Sequence, residues 1–523
     1  MKKNYYNLTN KFSFLILIFG VFNLLSCSKE LEENVYSQVP VDQFYKTEEQ
    51  AQLALNGVYG EVFWNDPYRD AQVITLGDVT AGVLIGGGSA NGSGDRSGIN
   101  NEWNTYSWTS DAIELITCWN WFFEAINMAN TLTDKLEVSS ITNSAKAKIG
   151  GQAKFLRAFY YFNLVRMFGG VPLSVHGTAD LSEAYNPRNT VDEVYARIIT
   201  DLQQAQTDLA PFSSGDQAIG KVTSATATAL LAKVYLQQRN WQKAAEEAKK
   251  VIDMNYFSLM SDYENINNPD FQNGKENLFS IQHGGTANSS SQLYQTRMIY
   301  LFGPPAQTLP GGQNIQFHTL KDLVIFQARK EFFNSTPDTY RKWWTMRDRM
   351  PYYYKGGVST ANLVMDTVQM YAPFLTKFHR INLSTGTLQE GVNFPLIRYA
   401  DVLLAYAEAL NEANNGPTQA AYDAINMIRR RARAVGTTME QPQNKYPDLS
   451  NLNKEQFRDA VLAEYAREFV GEGHFRYDLL RHDRLITNAK SLGITAAAEK
   501  HILFPVPALQ LSRNKNLVQN PGY

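Results

Sequence analysis

The sequence predicts an all-α protein, mainly helical, with one long irregular region. Three observations support this fold class. Apolar residues recur at helical spacing through residues 111–255 and again through 397–471. Helix start and stop signals bound these stretches, whereas residues 256–395 lack a regular apolar period and are rich in Gly, Pro, Asn, Ser and Tyr. Hydrophobic residues make up 44% of the 523-residue chain, which is enough for a large buried core.

The first helical stretch is expected to hold five helices. Their predicted bounds are Asp111–Lys135, Ala145–Phe168, Val191–Leu209, Ser224–Gln238 and Trp241–Met254. Gly169 and Gly170, followed by Pro172, form a stop signal for the second helix. Thr190 and Glu193 have the spacing of a capping box at the start of the third. These helix pairs are similar to tetratricopeptide repeats, although the strict repeat consensus is absent.

Three more helices are predicted in the second helical stretch. Their bounds are Arg398–Ala413, Pro417–Arg433 and Lys454–Val470. They could continue the first array, so residues 40–523 are interpreted as a single domain. The irregular residues 256–395 are expected to form the ligand-binding side, because long irregular regions in compact proteins usually carry function. Residues 80–104 are interpreted as a shorter, flexible loop.

The N-terminus has the charge order and length of a secretory signal. Three lysines precede an apolar segment, Phe12–Leu25, that is shorter than the roughly 20 residues needed to cross a bilayer. The segment runs into Leu-Leu-Ser-Cys, which resembles a bacterial lipobox, where the cysteine receives a lipid. We therefore predict a cleaved signal at 1–26, lipid attachment at Cys27 and a flexible tether over 27–39. An ordinary signal peptide that happens to end near a cysteine is the alternative.

Composition argues against several classes of protein and site. The chain has only two cysteines, so Cys118 would have no intrachain disulfide partner once Cys27 is acylated. The formal net charge of −2 makes nucleic acid a poor partner. Seven histidines are scattered without local ligand spacing, so neither a metal nor a cofactor is predicted.

Catalytic motifs mostly fail. Residues 215–221 have the spacing of a phosphate-binding loop, but Val222 occupies the metal-binding Ser/Thr position and a helix precedes the stretch. Asp401, Glu408 and the charged residues of 464–481 are interpreted as structural ion pairs. No catalytic residue is assigned, although two carboxylates meeting in space could still make the protein a glycosidase.

The second helical stretch also contains a run of basic residues. Four arginines occur near the end of the second predicted helix of the 397–471 stretch, at Arg429, Arg430, Arg431 and Arg433. Cations are favourable at a helix C-terminus, where they complement the helix dipole. We interpret the run as a solvated helix end rather than as a nucleic-acid site.

The predicted irregular regions are unusually rich in aromatic residues. Indole and phenol rings can stack on sugar rings or clamp peptide side chains. The rings concerned are Trp64, Tyr68, Trp103, Tyr106, Trp108, Tyr294, Tyr300, Trp343, Trp344, Tyr352, Tyr353 and Tyr354. The alternative is that each ring merely holds a loop against the helices.

Six motifs occur together in an order typical of one family. They are WNWFFEAINMAN at 119–130, AKFLRAFYYFNLVRMFGGVP at 153–172, ATALLAKVYL at 227–236, FPLIRYADVLLAYAEALNE at 394–412, INMIRRRAR at 425–433 and a 504–523 segment ending NLVQNPGY. From about residue 35 to the end, the chain thereby resembles the SusD/RagB family of Bacteroidetes surface lipoproteins. The resemblance implies a tetratricopeptide-like helical fold with irregular loops on the other side.

The resemblance also implies a function. Members of this family are non-catalytic lipoproteins on the outer face of the outer membrane, and they pass captured glycan or peptide to a SusC-like TonB-dependent transporter. We expect an oligosaccharide or glycan ligand here. A peptide or other nutrient oligomer is the alternative ligand, a lipid-anchored glycosidase is another alternative, and a tetratricopeptide-like scaffold that grips only a protein partner is a third.

Candidate ligand-binding residues come from the resemblance and from the aromatic residues of the irregular regions. Trp103 and Asn104 stand where glycan-binding relatives place a stacking Trp and an amide. The full set of candidates is Trp103, Asn104, Tyr294, Tyr300, Trp343 and Trp344. A Gly-Trp found in many relatives is replaced here by Gly312-Gln313, which argues against a starch-type site.

Overall fold

A computed structural model describes most of the helical part of the chain. The residues described are 44–63, 68, 71–86, 99–178, 180, 185–212, 220–283, 302, 307–308, 314–315, 326–355, 363–378, 381–382, 387–388 and 391–523. The predictions for the signal and tether (residues 1–39, with Cys27), for Tyr294 and Tyr300, and for most of the 215–221 stretch lie outside these residues. Among the described residues, no helix is both long and apolar enough to span a membrane.

The described chain is mainly helical, which confirms the predicted fold class. Its α-helices are α1 (Glu48–Phe63), α2 (Ile99–Thr105), α3 (Ile113–Val138), α4 (Asn143–Phe168), α5 (Val191–Asp208), α6 (Ser224–Gln237), α7 (Trp241–Asp253), α8 (Lys330–Ser335), α9 (Thr339–Thr345), α10 (Tyr399–Ala413), α11 (Gln419–Ala432), α12 (Lys454–Phe469), α13 (Phe475–Arg481), α14 (Leu485–Ser491) and α15 (Ala508–Arg513). A short turn, Gln72–Ile74, runs into a π-helix at Thr75–Val79. All eight helices predicted from apolar spacing are present, and their ends lie within one turn of the predicted ones.

Local signals account for two of these helix ends. At the start of α5, the Glu193 backbone N–H donates to Thr190 Oγ1 (3.2 Å) and the Thr190 N–H donates to the Glu193 carboxylate (2.8 Å). This is the predicted capping box. At the end of α4, Gly169 has φ +75°, and a Cβ there would lie 2.9 Å from the Leu503 side chain. A glycine is therefore required at this stop.

The long helices pack in sequence order. Helices α3 to α7 contact one another successively, α7 packs on α10, and α10 packs on both α11 and α12. The main apolar cluster extends from Ala51 to Leu517. Both predicted helical stretches therefore contribute to one buried core.

The region predicted to be irregular contains β-structure as well. The strands are β1 (Leu84–Gly86), β2 (Asn277–Ile281), β3 (Gln307–Thr308), β4 (Asn314–Ile315), β5 (Phe326–Ala328), β6 (Met346–Lys355), β7 (Leu363–Leu375), β8 (Ile381–Asn382), β9 (Thr387–Leu388) and β10 (Phe394–Arg398). An antiparallel sheet has the order β1-β5-β7-β6, and β10 pairs with β2.

Two predictions for the irregular regions are therefore corrected. The β6–β7 hairpin escaped notice because Pro351 and the charged residues 347–349 interrupt the alternation that marks a strand. The stretch 80–104, interpreted as a flexible loop, contains β1 and most of α2. Three-residue strands such as β1 are too short to leave a periodic signal.

Candidate ligand-binding site

The six candidate residues fall into three groups. Trp103 and Asn104 lie together on α2, and Trp343 and Trp344 lie together on α9. Tyr294 and Tyr300 lie outside the described residues, so their assignment stays a prediction.

Trp103 is buried in an aromatic cluster. Its side chain is 0% exposed, and its ring stacks on Trp108 with centroids 5.1 Å apart. The edge of Phe504 closes another side at 5.9 Å. A ring without a free face cannot stack on a sugar, so the structure corrects the prediction for Trp103 and gives it a packing role. The sequence could not show this, because Phe504 comes from the far end of the chain.

Asn104 uses its amide to hold the backbone of β1. Its Nδ2 donates to the Gly86 carbonyl (2.8 Å), and the Gly86 N–H donates to its Oδ1 (3.1 Å). The side chain thus pairs with Gly86 as a neighbouring strand would. Its proposed contact with ligand stays a prediction.

Trp343 and Trp344 form, with Arg347, what we call the indole platform. Trp343 is 42% exposed, whereas Trp344 is half-buried against a small cluster that includes Tyr263 and Tyr340. The Arg347 guanidinium lies 3.9 Å from the Trp343 ring centroid and 5.4 Å from that of Trp344. Arg347 Nε also donates to the Trp343 carbonyl (2.7 Å), which fixes the cation over the ring.

The platform has the chemistry of a sugar subsite. The Arg347 guanidinium covers one face of the Trp343 ring, so a pyranose ring could stack only on the exposed remainder of the indole, while the guanidinium could donate to hydroxyl oxygens. Such a planar, rigid pair costs little conformational entropy on binding.

A buried ion-pair cluster lies next to the platform and includes a residue of the same helix. Arg341, on the same helix α9, is 1% exposed. Its Nε donates to Asp338 (2.6 Å), its Nη1 to Glu464 (2.7 Å) and Glu468 (3.1 Å), and its Nη2 to the Tyr446 hydroxyl (3.2 Å). Burial raises the pKa of Asp338.

Glu468 lies at the centre of this cluster. Its carboxylate accepts from Arg431 (2.6 Å), Arg398 (2.9 Å) and Arg341 (3.1 Å). Burial alone would raise the pKa of Glu468, but the three guanidinium groups outweigh burial and hold that pKa at about 2. Glu468 therefore stays ionised at neutral pH.

The solvated helix end predicted for the arginine run is mostly wrong. Arg429, Arg431 and Arg433 are buried, and their partners are the carboxylates of Glu464, Glu276, Glu468 and Asp448. Only Arg430 of the four keeps a largely exposed side chain. The partners lie up to 155 residues away in sequence, so no local pattern could reveal them.

The ion pairs predicted at Asp401 and Glu408 do form. Asp401 pairs with Lys233, and Glu408 accepts from two nitrogens of Arg481 (2.6 and 2.8 Å). Cys118 is buried and carries a free thiol. Within the described part of the chain, no group of three His, Cys, Asp or Glu is placed to hold a metal ion.

Comparison with known proteins places this fold in a family. A family model described as the SusD family matches residues 334–523. This range includes α9 and the helices α11 and α12, which contribute to the buried cluster. A second model, described as starch-binding and associating with the outer membrane, matches residues 89–236.

Relatives and solved structures agree with these models. A SusD-like protein of Formosa agariphila is 30% identical over 98% of this chain and 99% of its own length. The starch-binding protein SusD of Bacteroides thetaiotaomicron is 25% identical over 76% of each chain. A laminarin-binding SusD-like protein has the same fold, with a TM-score of 0.70 at 24% identity over 92% of this chain and 100% of that one. The surface glycan-binding protein A of Bacteroides thetaiotaomicron, solved with laminarihexaose, gives 0.69 at 19% identity over 90% and 99%. The chain belongs to the SusD family.

Proposed function

We propose that this protein binds an oligosaccharide or glycan at the cell surface without chemically changing it. Family membership supports the proposal, because one matching family model is described as starch-binding and a 25% identical relative is a starch-binding protein. The structural observation that carries it is the indole platform, where Trp343 is exposed beside the Arg347 guanidinium. Tyr294, Tyr300 and Asn104 are further candidate ligand contacts.

The same proposal includes an anchor and a partner. Lipid on Cys27 would hold the protein on the outer membrane, and the tether over 27–39 would let the domain move beside its partner. A SusC-like TonB-dependent transporter would then receive the captured glycan. The family model's association with the outer membrane supports this location.

Calorimetry on the protein without its signal and lipid cysteine, residues 28–523, tests glycan binding. The titrants are laminarin, soluble starch and a casein peptide digest. We expect a saturable heat with at least one glycan, and Trp343→Ala should weaken it by at least about 2 kcal/mol, or roughly 30-fold, as for a central aromatic contact.

A matched Trp→Ala control separates the platform from general stability. Trp241 stacks on His482 in the helical array, with ring centroids 5.8 Å apart. Trp241→Ala should leave glycan affinity within about twofold while lowering stability. Peptide binding without glycan binding would contradict the proposed ligand. New reducing ends appearing at an enzymatic rate would contradict the absence of catalysis.

A further inference from the structure

We infer that Arg341 is a positioning residue, which fixes the orientation of the indole platform by tying α9 to the end of α12. This inference rests on the proposed function for its effect on ligand binding. Arg341 touches no ligand in this scheme, because its side chain is buried. It acts through Trp343 and Trp344, which follow it on the same short helix.

Helix α9 depends on contacts outside itself for its orientation. It has seven residues, and isolated helices of that length are not stable in water. Every nitrogen of the Arg341 guanidinium donates to a partner. One partner, Asp338, lies just before α9, and the others are Glu464 and Glu468 on α12 and the Tyr446 hydroxyl. A planar guanidinium held at three nitrogens fixes rotation as well as distance.

A second buried cation joins the end of the β6–β7 hairpin to the C-terminal end of α12. Lys377 follows β7, and its Nζ donates to the carbonyls of Glu468 (2.8 Å) and Val470 (3.4 Å). It also pairs with the Glu472 carboxylate. The segments just before and just after the β6–β7 hairpin therefore each carry a buried cation that contacts residues 464–472, at and just beyond the end of α12, and both cations contact Glu468.

Hydrogen bonds also join α9 directly to the segment that carries Lys377. The Thr376 N–H donates to the Thr345 carbonyl (2.8 Å), and its Oγ1 donates to the Trp343 carbonyl (3.3 Å). The last turn of α9 is thus hydrogen-bonded to the residue before Lys377. Both ties act on the backbone that carries Trp343.

An apolar contact at Arg341 would hold α9 against α12 but would not fix its rotation. Leu or Met packs in many rotamers, whereas a buried guanidinium must satisfy directional bonds or leave a charge unpaired. The ion pairs of the cluster therefore set which way Trp343 faces. A purely structural role would instead change stability alone.

Arg341→Lys tests the inference, with Arg481→Lys as the matched control. Lysine keeps the positive charge but lacks the planar guanidinium with its directional N–H donors. Arg481 is also buried and makes comparable bonds, but its partners Glu408 and Asp478 lie on α10 and α13. Three quantities are measured: laminarin affinity, melting temperature, and hydrogen exchange of peptides covering residues 339–349.

We expect Arg341→Lys to weaken laminarin affinity by about fivefold or more and to speed exchange at 339–349. Arg481→Lys should lower the melting temperature at least as much while affinity stays within about twofold. In a Trp343→Ala background, where the ring is absent, Arg341→Lys should cost little further affinity, because it acts through that ring.

Several outcomes would overturn the inference. Affinity and exchange equal to wild type in folded Arg341→Lys would do so, and so would an equal loss of affinity in Arg481→Lys. If the wild type binds soluble starch but not laminarin, starch affinity replaces laminarin affinity as the readout. If it binds neither glycan, the proposed ligands fail, and exchange at 339–349 alone decides the role of Arg341. If Arg341→Lys does not fold, Tyr446→Phe removes the hydroxyl that accepts from Arg341 and Arg467 and donates to Glu464, and this variant is judged by affinity and by exchange at 339–349.

Discussion

The substitution Glu468→Gln removes one charge from the centre of the buried cluster and keeps the shape of the side chain. Glu468 is fully buried and contacts the guanidinium groups of Arg431, Arg398 and Arg341. In the variant an amide nitrogen must face these donors, and three cations share one carboxylate fewer. The free energy of unfolding should therefore fall.

The size of this loss follows from the pKa of Glu468. That pKa lies at about 2 in the folded protein, against an ordinary value of 4.5. Since one pKa unit corresponds to about 1.4 kcal/mol, the folded state favours ionised Glu468 by about 3 kcal/mol at pH 7. Removing one partner from a buried ion pair costs a similar amount, roughly 3–5 kcal/mol.

The same pKa fixes how the effect depends on pH. Because the pKa is depressed in the folded state, the stabilisation is complete well above pH 4.5 and is lost as the pH falls toward 2. At pH 3 less than half of the stabilisation should remain. The difference in stability between wild type and Glu468→Gln should shrink accordingly.

Urea unfolding followed by circular dichroism measures both effects. Glu455→Gln is the matched control, since Glu455 lies on the same helix α12 but is 62% exposed, with Arg458 as its partner. Its loss should stay below about 1 kcal/mol. A loss under about 1 kcal/mol for Glu468→Gln, or a difference that does not shrink at low pH, would refute the reasoning.

Two other predictions concern pH and the anchor. Burial raises the pKa of Asp478 to about 6, so the stability of wild type relative to Asp478→Asn should fall, by about 2 kcal/mol, as the pH rises from about 4 to 6. Urea unfolding across that range checks this, and a difference that grows with pH would contradict it. Cys27→Ala should give a folded protein that binds glycan in solution but leaves the membrane fraction and fails to support uptake. Uptake that persists without the anchor would show that contact with the transporter suffices.

The sequence predicted the helices well because their signals are local. Apolar spacing, the Thr190–Glu193 capping box and the stop at Gly169 each lie within a few residues of the helix end they define. These interactions form between residues close in sequence. Both partners of each interaction can therefore be recognised in a single sequence.

The parts it could not predict depend on partners far apart in sequence. Arg431 looks like a solvated cation until Glu276 and Glu468 are brought beside it. Trp103 looks like an open ring until Phe504 covers it. In both cases composition and spacing near the residue favoured exposure, and tertiary packing decided otherwise. Trp343 could be selected as a candidate from its loop-like context, but its exposure and its contact with Arg347 required the structure.

Native gel electrophoresis through laminarin or soluble starch tests the central claim most directly. Three proteins are compared: the protein without its signal, Trp343→Ala and Trp241→Ala. The wild type and Trp241→Ala should be retarded by at least one of these glycans, and Trp343→Ala should migrate nearly as in a gel without glycan. Equal retardation of all three would contradict the assignment of the indole platform, and no retardation of the wild type by either glycan would contradict the proposed ligands.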